Sequence, residues 1–183
     1  MDRVRLDEIM EVAFMGVSRD EECTLHQAEL KDHSPERDVS DAEWLHAKEI
    51  DVATDWREVP SAALDECGAA MSHATPQSWR FYLPAYMRRA LGLLDAPILE
   101  TWIPGSVLHH LTFSRKYAGQ VPYTLERFEM LNDAQGKAVC AFLEYVREYP
   151  CAVASYRQDA DLALRQYWGL HIANRPHGQI VLP

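Results

Sequence analysis

At 183 residues the chain has the length of one domain, and 48% hydrophobic with 25% charged residues is the balance of a folded protein rather than a disordered one. A net charge of −10 opposes a phosphate backbone and argues against nucleic-acid binding. No apolar run approaches the ~20 residues of a membrane-crossing helix, and the start, Met1-Asp-Arg-Val-Arg-Leu-Asp-Glu8, lacks the apolar stretch of a secretory signal, so a soluble, cytoplasmic protein is expected.

Taken in chain order, the elements are helical. Leu6, Ile9, Met10, Ala13, Phe14 and Val17 recur at helical spacing and predict a helix that ends near Gly16. Residues 23–30 read as a second, short helix, and the polar stretch from Asp32 to Val39, with Pro35, as a loop. Ser40 and Glu43 form a capping box that opens a helix through Trp44 and Leu45. Pro60-Ser61 opens the next, with Ser61 as N-cap and a stripe of Leu64, Cys67, Met71 and Ala74.

Thr75-Pro76 is the clearest start signal, a capping hydroxyl followed by proline at the first helical position. Trp79, Tyr82, Leu83, Tyr86, Met87, Ala90, Leu91 and Leu94 follow on one wide apolar face. Pro84 lies inside it and predicts a kink or a restart, because proline has no amide hydrogen for the carbonyl of Arg80. Residues 95–123 are rich in proline and glycine, with room for a short helix near 107–113, and residues 124–131 for another short one. Asn132 caps a strong helix carrying Val139, Phe142, Leu143 and Val146, which Pro150 stops. A last helix is predicted from Asp159 to His171, and Gln179-Ile-Val-Leu-Pro183 reads as a short strand or a packed tail. The expectation is a mainly α, compact single domain over 1–183 of about seven helical segments. Residues 1–39 form a helical appendage on a core of 40–183.

The charge is uneven. Residues 1–66 hold 19 Asp/Glu against 7 Lys/Arg, a net of −12, whereas residues 67–183 are mildly basic. An acidic first third would draw a basic partner by long-range attraction, although a solvated acidic face explains the same residues.

Chemistry is harder to find. No phosphate-binding glycine loop, dinucleotide fingerprint, nucleophile elbow or zinc-protease helix is present. Cys23 and His26 lie three apart on a predicted helix and could face one metal ion, but no second ligand pair has zinc-type spacing. His109 and His110 sit in an irregular segment, yet neighbours on a helix diverge by about 100° and do not share an ion. The four cysteines, Cys23, Cys67, Cys140 and Cys151, form no C-x-x-C pair and read as reduced thiols. The cluster of Trp79, Arg80, Phe81, Tyr82 and Tyr86 has the residue types of a binding hot spot, but at helical spacing it reads first as core with a basic rim. Phe81 departs from the stripe and needs a separate cover.

The segment Trp79-Arg-Phe-Tyr-Leu-Pro-Ala-Tyr86, with Trp56 and Pro60 before it and Leu131-Asn-Asp-Ala-Gln135 and Phe142-Leu143 after it, resembles an uncharacterised bacterial domain family with a "YLPAY" segment. That resemblance implies a small helical bacterial domain and transfers no catalytic residue. Together these readings point to a non-enzymatic binding protein without a cofactor, of the inhibitor or immunity type, whose acidic first third takes a basic protein. A small metal-dependent hydrolase is the alternative.

Overall fold

The computed structural model describes residues 1–33, 38–114 and 118–169. Among them every regular element is helical, ten α-helices with no strand. The predicted C-terminal segment 179–183 lies outside the described residues.

Helix α1 (Arg3–Ala13) starts where the Asp2 side chain accepts the Arg5 amide hydrogen, and the chain turns away at Gly16 with φ 70°. That left-handed conformation suits glycine. The inner face of α1, Leu6 and Met10 followed by Phe14, is buried, and α1 packs on α9 (Asp133–Glu148). Helix α2 (Leu25–His33) packs on α3 (Asp41–Ile50), which begins with the predicted Ser40–Glu43 capping box.

The next segment departs from expectation. The stripe from Leu64 to Ala74 is divided between α4 (Ser61–Glu66) and α5 (Ala70–His73). One cause is remote: the Glu29 carboxylate accepts the amide hydrogens of Ala69 at 2.7 Å and Ala70 at 3.0 Å, so the chain restarts there on a new helix. Ser61 is not the cap either; Pro60 occupies the cap position without a side-chain bond and Ser61 is the first helical residue. Leu64, Cys67, Met71 and Ala74 are all buried nonetheless.

Helix α6 (Pro76–Leu91) is the axis of the fold. Thr75 caps it as predicted, and from Ser78 to Met87 only Arg80 reaches solvent, so the helix is apolar nearly all round and lies inside the bundle. Helix α4, α7 (Ile103–His110), α8 (Val121–Glu129) and a 3₁₀ turn at Trp56–Glu58 surround it. The helix does not restart at Pro84. It runs through, giving up one intrahelical hydrogen bond, because packing on every side holds the backbone. The same surroundings cover Phe81, which is buried edge-on to Tyr82 with ring centres 4.9 Å apart.

Helix α9 opens with a capping box in which Asn132 and Gln135 bond reciprocally. Helix α10 (Ala154–Ala163) starts five residues before the predicted Asp159 and leads into a π-helical turn at Leu164–Trp168. Trp168 is buried there against Phe128, ring centres 4.5 Å apart, and its indole N–H donates to the Leu111 carbonyl at 2.8 Å.

Candidate functional site

The structure places the predicted aromatic cluster inside the protein. Trp79, Phe81, Tyr82 and Tyr86 are buried. The Tyr82 hydroxyl accepts the Leu25 amide hydrogen at 3.1 Å, and the Tyr86 hydroxyl donates to the Cys67 carbonyl at 2.7 Å. Burial pushes both phenols above their ordinary range. Arg80 points to the rim, where its Nε donates to Gln135 Oε1 at 3.0 Å. Tyr82, Tyr86 and Arg80 therefore tie α6 to α2, to the α4–α5 link and to α9.

Cys23 and His26 face different partners. Cys23 is buried, with Lys31 Nζ 3.2 Å from its sulfur. His26 instead meets Asp51, Nδ1 to Oδ1 at 2.7 Å, and that hydrogen bond raises its imidazole above the ordinary value despite partial burial. The His109 and His110 rings stand edge to face, 5.4 Å apart. His110 Nε2 lies 3.4 Å from Ser72 Oγ. Burial, reinforced by the positive charges of His109 and Arg127, holds the His110 imidazole down at about 3, so it is neutral at physiological pH. Among the described residues no three His, Cys, Asp or Glu side chains converge on a point where a metal ion could sit.

Many carboxylates of the acidic first third are engaged internally. Asp2, Glu43 and Glu29 cap helix starts, and Asp20 accepts the Glu22 amide hydrogen and the Thr75 hydroxyl. Glu11 pairs with Arg88 at 2.7 Å, Asp65 with Arg89 at 2.7 Å, and Glu21 with both Arg19 and Lys48. A count of charges cannot find pairings such as Glu11 with Arg88, Asp65 with Arg89 or Glu29 with the start of α5, because those partners are distant in sequence.

The outer face of α3 is different. The helix has α2 as its main neighbour and turns Trp44 and Ala47 toward it. Asp41, Leu45 and Glu49 then follow at i, i+4 and i+8 along the solvent side. Leu45 is 59% exposed, Ile50 48% and Val52, just past the helix, 81%. Among the described residues Glu49 has only the exposed His46 ring near it, at 3.9 Å, and Asp41 has no side-chain partner. Apolar side chains held in water beside unspent carboxylates make a surface that is complementary to an amphipathic, basic one. Sequence reading missed it, since Trp44 and Leu45 are both apolar and only the position of α2 decides which turns inward.

No helix of the described residues is long and apolar enough to cross a membrane. Searches of curated proteins and of solved structures find no match to this chain. A family model does match, over residues 2–171, which takes in every helix from α1 to α10. The chain therefore belongs to that family, described as a family of unknown function (DUF6714).

Proposed function

We propose that this chain is a non-enzymatic, cytoplasmic binding protein of bacteria, an inhibitor or immunity-type partner that takes a basic protein on the outer face of α3. The observation that carries this reading is the group of Leu45, Ile50 and Val52, all exposed, beside Asp41 and Glu49 on a helix with one main neighbour. Leu45 and Ile50 supply apolar area that is desolvated on contact, and the two carboxylates select a positively charged rim. Engagement of many of the other acidic side chains in caps and ion pairs supports this placement, since Asp41 and Glu49 are among the carboxylates left to act outward.

The test is capture of a basic protein from the native host at low and high salt. Wild type is compared with Leu45→Asp, with the double variant Asp41→Lys/Glu49→Lys, and with Asp133→Lys on α9 as a control. The expected result is one basic protein retained at low salt by wild type and by the control, and lost in both α3 variants. Retention of that protein by the α3 variants would remove the assignment of this face, and capture of nothing at low salt would remove the whole reading.

A further inference from the structure

We propose that Arg127 anchors a binding site for a small oxyanion, a carboxylate or a phosphate monoester, at the C-terminal end of α5. Arg127 lies on α8 and is 2% exposed, yet no carboxylate among the described residues is within ion-pair distance of it. Arg3, Arg5, Arg19, Arg57, Arg88, Arg89, Arg147 and Arg165 all meet a carboxylate, and every one of them is nearer to solvent. The most deeply buried guanidinium of these nine is thus the one without a counter-ion.

Its contacts are also lopsided. Nη2 donates to the carbonyls of Ser72 and Ala74 and to the Tyr123 hydroxyl, while Nε and Nη1 are buried with no hydrogen-bond partner among the described residues. Carbonyl oxygens at a helix end carry partial charge only and do not neutralise a full cation. A buried charge left so incompletely bonded is costly, and an oxyanion would bring a full negative charge together with an acceptor for the unused Nη1 or Nε N–H groups.

Other groups at the same place suit an anion. Ser72 Oγ and His110 Nε2 lie 3.4 Å apart, and the neutral His110 ring supplies one N–H donor without requiring a negative charge of its own. The Tyr123 ring stacks on the guanidinium, 3.5 Å from ring centre to the central carbon, and is 46% exposed. Ser72 is exposed beside it. Tyr123, whose hydroxyl donates to the Ser72 carbonyl, is accordingly the half-exposed side chain whose rotation would uncover the guanidinium.

The experiment measures thermal unfolding and calorimetric binding of wild type with inorganic phosphate, acetate and chloride at matched ionic strength. Phosphate, acetate or both should raise the midpoint with saturation in the millimolar range, with chloride inert. The stronger of the two identifies which oxyanion the physiological ligand carries. Arg127→Lys, which keeps charge but loses the Nε and Nη1 donors, should weaken binding at least tenfold, and Ser72→Ala several-fold. Should Arg127→Lys fail to fold, nitrogen NMR of the wild-type Arg127 Nε resonance replaces it, and this must shift on titration with the anion. Absence of saturable binding, equal effects of chloride, or unchanged affinity in Ser72→Ala together with an unmoved Nε resonance would each overturn the proposal.

Discussion

Asp51 holds His26 at two points: Oδ2 accepts the His26 main-chain N–H at 2.8 Å, and Oδ1 meets the ring Nδ1 at 2.7 Å. The first bond caps the start of α2 from 25 residues away, where the helix leaves its amide hydrogens unused and favours a negative charge. The second makes the ring a better base.

The pair gives the protein a pH dependence of a definite sign. The hydrogen bond to Asp51 raises His26 above its ordinary 6.5, against the opposing effect of burial. For Asp51, burial pushes the carboxyl up, but the bonds from the His26 ring and main chain outweigh it and the net direction is down from 3.8. A raised imidazole stabilises the fold fully below pH 6.5 and loses that contribution as pH rises through the folded value; the carboxylate loses its own as pH falls through its lowered value. Unfolding midpoints in denaturant should therefore show wild type losing stability relative to His26→Gln as pH rises above 6.5. Replacing Asp51 with Ala should cost about 1–2 kcal/mol near neutrality through the lost cap alone. A difference between wild type and His26→Gln that stays flat from pH 5 to pH 9 would contradict the assignment, on the order of the window this linkage covers.

What was legible in the sequence and what was not divides along distance in the chain. The Ser40–Glu43 box, the Asn132 cap and the Thr75-Pro76 start stand in the structure as read, because each is written in residues that touch one another locally. Glu29 at the start of α5 and Asp51 at the start of α2 obey no spacing rule, so the division of the Leu64–Ala74 stripe and the true partner of His26 could not be read. Amphipathic analysis assumes a side that faces water; α6 has almost none, which is why Phe81 departs from the stripe, and the same packing on every side carries the helix through Pro84 despite its missing amide hydrogen. Arg127 carries no sequence signal either, since it reads as an ordinary rim charge in Glu126-Arg127-Phe128 until α5 and Tyr123 close over it.

The cysteines should separate into two classes under a thiol reagent. Cys151 is exposed, whereas Cys23, Cys67 and Cys140 are buried and none is in a disulfide. Burial pushes the Cys67 and Cys140 thiols up to about 12, with nearby carboxylates adding to it, so they stay protonated and unreactive at neutral pH. Native protein should react rapidly at Cys151 alone, and the remaining three should follow only in denaturant. Fast modification of Cys67 or Cys140 in native protein would show that the α4–α5 link or the α9 core opens on the time scale of labelling.

Gln166 provides a sharper test of how the C-terminal helices are fixed to the rest. Its amide brackets one residue of the chain leaving α7: Oε1 accepts the Phe113 N–H at 2.9 Å and Nε2 donates to the Phe113 carbonyl at 3.2 Å. Both side chains are buried, so no water stands ready to replace either bond. Gln166 itself lies in the π-helical turn, where the wider spacing aims its side chain at the irregular strand of backbone after α7. Gln166→Leu keeps the volume and removes the amide, leaving a buried donor and a buried acceptor unpaired, at a cost of about 2–4 kcal/mol. Gln166→Glu retains the acceptor for the Phe113 N–H but sets a carboxylate against the Phe113 carbonyl, so it should be at least as harmful at neutral pH and recover partly in acid as the carboxyl protonates. Equilibrium unfolding of the two variants at pH 7 and pH 4.5, on the order of a carboxyl's ordinary range, measures this difference. Equal pH profiles for Gln166→Leu and Gln166→Glu would mean that the amide is not what joins α10 to the end of α7.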